Sequence, residues 1–304
     1  MKKITLAQGL EVSAVAMGGM RLPNLDAKGL AGLVQTAIEG GINFFDHADI
    51  YGGGKSETMF ASAVADLKLD RSNIFVQTKC GIRNGFFDFS TEHIVSSLEG
   101  SLKRLNMDYV DLFLLHRPDA LVDPAEVAEA FDKLHKAGKA RYFGVSNHNA
   151  GQIKLLQKHL GHKLIVNQLQ FSPVHTGMLD AGLNVNMTNS QSFDHDGSVL
   201  DFCRLEGITV QAWSPFLYGY FEGVFLGSDK YPELNKAIAE VAEEYDITKE
   251  ATVVAWILRH PASMQAIPGT TNATRLAGIC KGSDVVLSRQ DWYKIYRAAG
   301  NRLP

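Results

Sequence analysis

Residues 44–57 have the sequence FFDHADIYGGGKSE, in which an apolar run ends at Asp46 and a tyrosine, Tyr51, follows five residues later. The glycines after the tyrosine resemble a phosphate-binding loop. That motif requires a glycine five residues before Gly54, where this chain has Asp49. We therefore reject the phosphate loop and expect the glycines to turn the chain into a helix that begins at the next lysine or serine.

Outward from this stretch, eight short apolar runs suited to buried parallel strands alternate with amphipathic segments. The runs are Ala14–Gly18, Ile42–Asp46, Ile74–Lys79, Val110–His116, Tyr142–Ser146, Leu164–Gln168, Ile208–Trp213 and Gln265–Pro268. Thr91–Leu105 and Pro124–Lys136 are two of the amphipathic segments, and Asp123 is placed to cap the second. Eight strand–helix units in 304 residues, without a Pro/Ser-rich linker, predict one (β/α)8 TIM barrel domain over residues 1–304. Two doubly wound domains are the alternative that periodicity leaves open.

Four segments lie outside the repeated units. Ile4–Val12, with a Gln-Gly turn, is predicted to form an N-terminal β-hairpin. Ser288–Ala299 predicts an extra C-terminal helix. The irregular segments Ser172–Gly197 and Ser214–Tyr231 each follow a predicted strand, so we expect them on the functional face of the barrel.

Composition and charge exclude several classes of function. The formal net charge is −3 and the pI is near 6.4, and without a block of Lys or Arg we expect no nucleic-acid partner. No run approaches the roughly 18 apolar residues of a transmembrane helix, so we expect no membrane partner. The three cysteines are far apart, which favours a reducing cytoplasm, and a monomer is the expected assembly. Asp194, His195 and Asp196 lack a second group of ligands at metal spacing, so no metal site is predicted.

Several of the apolar runs end in, or are directly followed by, a polar, ionisable or aromatic residue. These residues are Asp46, Lys79, His116, Ser146, Asn147, Gln168 and Trp213. The carboxyl ends of barrel strands meet at one face, which is where barrel enzymes place their active sites. Each residue alone has an ordinary role available, such as helix capping or a solvated strand end. Their common position favours a shared site.

Asp46, Tyr51, Lys79 and His116 form a set with a specific chemistry. A tyrosine with a pKa near 10 donates a proton poorly unless its phenolate is stabilised, and a nearby lysine ammonium stabilises it. A carboxylate keeps that lysine charged and oriented, and a neutral histidine polarises a carbonyl oxygen. The set suits delivery of a proton to a carbonyl oxygen while hydride reaches the carbon. A hydrolase that uses two carboxylates is disfavoured, because only Asp46 ends a strand.

Several motifs together resemble the aldo-keto reductase superfamily. They are FFDHADIYGGGKSE, QTKCGIR, MDYVDLFLLHRPD, ARYFGVSNH, QAWSPF and IPGTTNATRL, and the resemblance covers essentially the whole chain. The sequence is most similar to a group of bacterial NADPH-dependent oxidoreductases in which a GLNVNMTN…DHDG segment follows the sixth strand. The resemblance implies reduction of aldehyde or ketone carbonyls to alcohols with NADPH.

The resemblance also implies roles for individual residues. Tyr51 is then the general acid, assisted by Asp46, Lys79 and His116. A nicotinamide cofactor is expected across the strand ends, and Arg275 favours NADPH over NADH because a guanidinium matches a 2′-phosphate. The residues expected to contact this cofactor are Ser146, Asn147, Gln168, Trp213, Ser214, Pro215, Phe216, Leu217, Gly269, Thr270 and Arg275. No G-x-G-x-x-G follows a predicted strand, so a Rossmann mode of binding is not expected.

The loops after the strands are expected to form the pocket for a small-molecule carbonyl substrate. The candidates for an aromatic wall beside Trp213 are Phe86, Phe87, Phe89, Tyr218, Tyr220, Phe221 and Phe225. Each of these rings is equally suited to anchoring its own loop. Arg21 and Arg117 also follow strands, and we expect them to form salt bridges with neighbours, with contact to an anionic substrate as the alternative.

Two further functions stay open at the level of sequence. The first is an NADPH-binding sensor or regulatory subunit with slow or vestigial reductase activity, a use of the fold that the superfamily includes. The second is a phosphosugar isomerase or aldolase on the same barrel, in which Lys79 would form a Schiff base. Tight cofactor binding with slow turnover would favour the first, and activity without nicotinamide would favour the second.

Overall fold

The strands of the barrel are short and lie close to the predicted runs. The computed structural model describes residues 1–304. In chain order its strands are β1 (Lys3–Ala7), β2 (Leu10–Ser13), β3 (Met17–Gly18), β4 (Phe44–Asp46), β5 (Phe75–Cys80), β6 (Val110–Leu115), β7 (Ala140–Ser146), β8 (Leu164–Gln170), β9 (Thr209–Trp213), β10 (Leu217–Tyr218), β11 (Gly223–Val224) and β12 (Met264–Ile267).

Eight of these strands are parallel and pair in the order β12-β9-β8-β7-β6-β5-β4-β3. The two edges of this sheet meet, because Val15 bridges to Ala266 and the amide of Gly18 donates to the carbonyl of Pro268 at 3.0 Å. A closed ring leaves no unpaired strand edge. The predicted (β/α)8 barrel is therefore confirmed, and the two doubly wound domains are excluded.

Helices cover the outside of the ring. They are α1 (Ala27–Glu39), α2 (Lys55–Asp66), α3 (Thr91–Leu105), α4 (Pro124–Lys136), α5 (Ala150–Gln157), α6 (Gly177–Leu183), α7 (Val199–Glu206), α8 (Pro232–Glu244), α9 (Lys249–Arg259), α10 (Ala273–Lys281) and α11 (Arg289–Ala298). The bounds of α3 and α4 are the predicted ones, and the Asp123 carboxylate caps α4 by accepting from the amide of Ala125 at 2.9 Å.

The first two ring strands are shorter than predicted, and side-chain hydrogen bonds explain why. The amide of Ser13 donates to Oδ1 of Asn43 at 2.7 Å, and the amide of Asn43 donates to the Ser13 hydroxyl at 3.2 Å. These two bonds replace the backbone ladder between the two chain segments at this level. Regular pairing of the two strands therefore begins only at Met17 and Phe45.

The elements outside the repeat agree with the sequence in part. β1 and β2 form the predicted hairpin, and α11 is the predicted extra helix. The two segments predicted to be irregular contain regular structure: α6 lies in the first, and β10 pairs with β11 in the second. These elements are too short to produce a periodic apolar pattern.

The interior of the barrel is apolar toward the hairpin. Leu6 and Leu10 of the hairpin share a buried cluster with ring residues that include Phe44, Leu112 and Val166. A larger cluster fills the space between the ring and the helices. None of the helices is both long enough and apolar enough to cross a bilayer.

Candidate active site

Four side chains from neighbouring parts of the ring meet at the carboxyl ends of the strands. Asp46 is the last residue of β4, Lys79 lies in β5, and His116 directly follows β6. Tyr51 comes from the loop after β4, and its ring meets the His116 ring edge-on with centroids 5.9 Å apart. The structure thus brings together the four residues that the sequence assigned to one set.

Lys79 is the centre of this group. Its Nζ atom lies 2.7 Å from Oδ1 of Asp46, and it donates to the Tyr51 hydroxyl at 3.1 Å and to the carbonyl of His47 at 2.7 Å. The side chain of Lys79 is fully buried. An ammonium has three N–H donors, so every donor has an oxygen partner and the lysine is held in one position.

Three glycines in succession carry the chain from Tyr51 into α2. Gly52, Gly53 and Gly54 have φ values of 59°, 65° and 89°, in the left-handed region that residues with a Cβ avoid. The turn places the tyrosine over the ring and starts α2 at Lys55, as the glycine pattern predicts.

Two glutamines donate hydrogen bonds to Asp46. Neither of these contacts was predicted from the sequence. Nε2 of Gln77 and Nε2 of Gln168 both donate to Oδ1 of Asp46, the second at 3.1 Å. Gln168 also donates to Gln211 at 3.1 Å, and Gln211 donates to Gln265 at 2.8 Å. The contact of Gln77 could have been predicted from the alternation of side chains along a strand. Gln77 stands two residues before Lys79, so the two side chains lie on the same face of the sheet.

Burial and charge set the protonation states of the pair that Lys79 forms with Tyr51. Burial pulls the pKa of Lys79 down, but Asp46 and then Tyr51 outweigh it, so the pKa is raised and the ammonium persists. Burial raises the pKa of Tyr51, an effect that the Lys79 charge only partly offsets. At neutral pH the tyrosine therefore carries its proton and stands beside a cation.

His116 is neutral. Burial, followed by the charges of Lys79 and Arg117, holds the pKa of its imidazole well below the ordinary value of 6.5. Its Nδ1 atom is buried without a hydrogen-bond partner. The uncharged ring borders the cavity beside Tyr51 and offers a hydrogen bond rather than a positive charge.

A cavity of about 640 Å³ lies over this group and extends across the carboxyl ends of the strands. Asp46, Tyr51 and His116 border it, while Lys79 lies beneath. Every residue that the sequence assigned to a cofactor lies in its wall: Ser146, Asn147, Gln168, Trp213, Ser214, Pro215, Phe216, Leu217, Gly269, Thr270 and Arg275.

The polar groups near Trp213 form a connected network. The indole N–H of Trp213 donates to Oδ1 of Asn147 at 3.1 Å, and Nδ2 of Asn147 donates to the Ser146 hydroxyl at 2.7 Å. That hydroxyl donates to the carbonyl of Gln168 at 3.0 Å. Because Nε2 of Gln168 donates to Asp46, its Oε1 atom is left as an acceptor beside the cavity.

The far end of the cavity lies at the start of α10. Asn272 caps this helix by accepting from the amide of Arg275 at 2.8 Å. Nε of Arg275 lies 3.3 Å from Oε1 of Glu250, and half of the side chain is exposed. Gly269 faces open space, since a Cβ there would meet nothing within 4 Å. A helix N-terminus, Thr270 and a guanidinium therefore converge at this end.

Part of the predicted aromatic wall is wrong. Tyr220 and Phe221 border the cavity, and Phe221 stacks on Trp213 with ring centroids 5.8 Å apart. Phe89 and Phe225 are buried and anchor their loops instead. The remaining rings, Phe86, Phe87 and Tyr218, lie outside the cavity wall.

The expected salt bridges of Arg21 and Arg117 are also wrong. Both residues border the cavity, yet neither forms an ion pair, and no side-chain hydrogen bond satisfies either guanidinium. The Arg117 guanidinium lies over two aromatic rings, those of Trp213 and Tyr220, with centroids 5.7 Å and 5.8 Å away. The chain offers no cluster of three or more metal-ligating side chains, there or elsewhere.

Comparison with known proteins places this chain in a family. The Aldo/keto reductase family profile matches residues 14–299. An oxidoreductase of Bacillus subtilis (strain 168), YcsN, which is described as uncharacterized, is 36% identical over 313 residues, covering 98% of each chain. A 6-dehydroglucose reductase of Agrobacterium fabrum is 32% identical over 313 residues, again covering 98% of both chains.

Solved structures agree on the fold. The crystal structure of a Bombyx mori aldo-keto reductase in complex with NADP matches with a TM-score of 0.76 at 24% identity. The match covers 98% of this chain and 92% of that one. At this level of identity the likeness concerns the barrel itself.

Proposed function

The chain belongs to the aldo/keto reductase family and is an oxidoreductase, and from this premise we propose that it reduces aldehyde or ketone carbonyls with NADPH, using Tyr51 as the general acid. The supporting observation is the placement of the Lys79 ammonium 3.1 Å from the Tyr51 hydroxyl, beneath the cavity. A buried cation in this position lowers the cost of forming a phenolate.

The proton transfer follows from the hydrogen bonds of Lys79. Lys79 donates to the tyrosine oxygen, so the tyrosine proton points away from the lysine and toward the cavity. When negative charge develops on the substrate oxygen, Tyr51 releases this proton to it. Lys79 stabilises the phenolate that remains, and Asp46 keeps Lys79 in position.

His116 acts on the same oxygen. Because its pKa is held well below the usual range, the imidazole is neutral at physiological pH and donates a hydrogen bond without competing as an acid. A carbonyl placed between Tyr51 and His116 would be polarised by both groups.

The cavity suits a nicotinamide dinucleotide. When bound, this cofactor supplies the hydride. Ser146, Asn147 and Gln168 are proposed to hold the carboxamide, for which Oε1 of Gln168 is a ready acceptor. Trp213 offers a flat ring for stacking, and Ser214 through Leu217 form the wall suited to the pyrophosphate. These groups would orient the nicotinamide ring at the Tyr51 end of the cavity and exclude water from it.

The preference for NADPH is proposed from Thr270 and Arg275 at the start of α10. A guanidinium recognises a phosphate by paired, charge-assisted hydrogen bonds. Glu250 competes for the same guanidinium in the protein alone. We therefore expect Arg275→Met to raise the KM for NADPH about tenfold while leaving that for NADH unchanged. Glu250→Gln should lower the KM for NADPH, and equal effects on the two cofactors would contradict this preference.

The direct test follows NADPH oxidation by the purified protein with a panel of aldehydes, ketones and quinones. We expect turnover that depends on the carbonyl and saturates with it. A protein that binds NADPH but oxidises it with no member of the panel would overturn the proposed function.

The other two functions considered from the sequence are not favoured. The relatives that are 36% and 32% identical are named as an oxidoreductase and a reductase, whereas relatives named as potassium channel β-subunits are only 27–28% identical, which favours an enzyme over a sensor or regulatory subunit. A Schiff-base lysine must lose its proton to attack a carbonyl. Lys79 instead has a raised pKa and three oxygen partners, which opposes an aldolase role.

A further inference from the structure

Arg117 is a cation at the reacting end of the cavity that the proposed function does not use. It directly follows His116, and its side chain is half-buried. It borders the cavity and forms neither an ion pair nor a hydrogen bond within the protein. Guanidinium groups carry five N–H donors, and burying them without acceptors has a cost. A half-buried, unpaired arginine beside the catalytic histidine is therefore unusual and calls for a ligand.

The charges around the cavity do not cancel. Asp46 is paired with Lys79, and Glu250 is paired with Arg275. No other carboxylate borders the cavity. Arg21 and Arg117 therefore contribute two positive charges without a counterion, which favours anionic ligands in this space.

The ring order separates these two arginines. β6, which precedes Arg117, stands four strands from β12 in either direction around the closed ring. Arg117 therefore lies across the mouth from Thr270 and Arg275, where the phosphates of a cofactor are proposed to bind. Arg21 follows β3, the strand that closes the ring against β12, and so lies on the cofactor side. Of the two uncompensated cations, Arg117 is the one left for the substrate.

We propose that Arg117 binds an anionic group, a carboxylate or a phosphate, on the carbonyl substrate. The rings of Trp213 and Tyr220 stand within 6 Å of the guanidinium, and neither the Tyr220 hydroxyl nor another oxygen of the chain accepts a hydrogen bond from it, so its N–H groups stay available to a ligand. A planar guanidinium suits either anion, because both accept two parallel hydrogen bonds. Since Arg117 is adjacent to His116, the anionic group lies a short distance from the carbonyl.

This inference rests on the proposed carbonyl reduction, and its test compares matched substrates. The first pair is para-carboxybenzaldehyde and its methyl ester, and the second is glyceraldehyde phosphate and glyceraldehyde. The ratio of kcat/KM for the anionic member over the neutral member is the readout, measured with NADPH. We expect a ratio of about 10 to 100 in at least one pair for the wild type, as for a charge-assisted hydrogen bond. The pair that shows it distinguishes a carboxylate from a phosphate.

Variants separate substrate binding from a general effect of charge. Arg117→Met should bring the ratio close to one, and Arg117→Lys should keep part of it. Arg83→Met is the matched control, because Arg83 is exposed on a neighbouring loop, pairs with Asp88 and does not border the cavity. Its ratio should equal that of the wild type.

The outcomes distinguish this inference from the proposed function. Equal losses for both members of a pair in Arg117→Met would overturn the inference, since Arg117 would then act only on Tyr51 and His116. A ratio that falls in Arg21→Met and not in Arg117→Met would overturn it too. If the wild type reduces neither member of either pair, the panel of carbonyl compounds decides the proposed function separately. Calorimetric titration of para-(hydroxymethyl)benzoate then decides the inference: binding about tenfold weaker to Arg117→Met supports it, and equal binding overturns it.

Discussion

At the amino-terminal end of the barrel, the hairpin and the ring side chains form a buried apolar cluster. At the carboxyl end, the same strands carry hydrogen-bonded polar groups into the interior. Leu112 of the first end packs in this apolar cluster, while Asp46 of the second accepts from two glutamines and lies against Lys79. The first end gains stability by removing apolar surface from water. At the second end, charged groups are held in fixed positions, and this lowers the stability of the fold because removing them from water is costly.

The largest difference between the two ends should appear on removing a tyrosine hydroxyl from each. Tyr51→Phe takes away the proposed proton donor, so we expect kcat to fall by about 10²- to 10⁴-fold with little change in melting temperature. Tyr142→Phe is the matched control, because its hydroxyl donates to the carbonyl of Gln8 in the hairpin turn at 3.1 Å. That variant should keep its turnover. Steady-state kinetics with thermal unfolding decide the matter, and near-normal turnover in Tyr51→Phe would refute the mechanism.

A cavity at the apolar end should give the opposite result. Leu112 is fully buried in the cluster shared with the hairpin. Leu112→Ala should lower the free energy of unfolding by about 3 kcal/mol, because it removes buried methyl groups and leaves a void, and should leave kcat unchanged. Leu121→Ala is the control, since Leu121 is 91% exposed. Denaturant unfolding measures both, and a change in kcat without loss of stability in Leu112→Ala would break the contrast between the ends.

The sequence predicts the apolar end of this contrast better than the polar end. Eight apolar runs and two amphipathic helices are visible as patterns because burial acts on every residue of a face. Asp46, Lys79 and His116 could be picked out because they interrupt such runs at the same end. The glutamine contacts to Asp46 depend on which strands become neighbours, and the free guanidinium of Arg117 depends on which carboxylates come near. Neither is a property of a local stretch, so both required the folded chain.

Burying the Asp49 carboxylate at the polar end should destabilise the fold. This effect should be measurable as a dependence of the free energy of unfolding on pH. Burial, followed by the charge of Glu57, raises the pKa of Asp49 from 3.8 to about 6, and Arg104 only partly opposes this. Because folding raises the pKa, the folded state binds the proton more tightly than the unfolded state. This contribution to stability is present below the unfolded pKa and is lost as pH rises through about 6.

Asn at this position removes the cost of the charge. Asp49→Asn should therefore raise the free energy of unfolding by on the order of 2 kcal/mol at about pH 8, with a much smaller effect near pH 3.5. Urea unfolding at the two pH values tests this. Asp66→Asn, at an exposed position on α2, serves as the control and should show no such dependence. An equal effect of Asp49→Asn at both pH values would show that the carboxylate charge is not the cause.

The smallest expected effect concerns positioning within the polar end itself. Gln77 donates to Asp46, while its own Oε1 is buried without a partner, so Gln77→Met removes an unsatisfied acceptor along with the donor. The two changes offset each other in stability. We expect kcat to fall about tenfold, because Asp46 is held less firmly beneath Lys79. The alkaline limb of the kcat profile should also move to higher pH, since a carboxylate with fewer donors acts more strongly on Lys79 and Tyr51.

Gln265 supplies the contrast that separates positioning from folding. It accepts from Gln211 and donates to the carbonyl of Ser13 at 2.8 Å, and it does not touch Asp46. Gln265→Met leaves both of those partners unpaired, so it should lower the free energy of unfolding by about 1–3 kcal/mol and leave the pH profile in place. If Gln77→Met instead loses stability and keeps the wild-type profile, the glutamines only fill the barrel. If the two variants behave as expected, the buried glutamine network contains one glutamine that serves the reacting group and another that serves the fold.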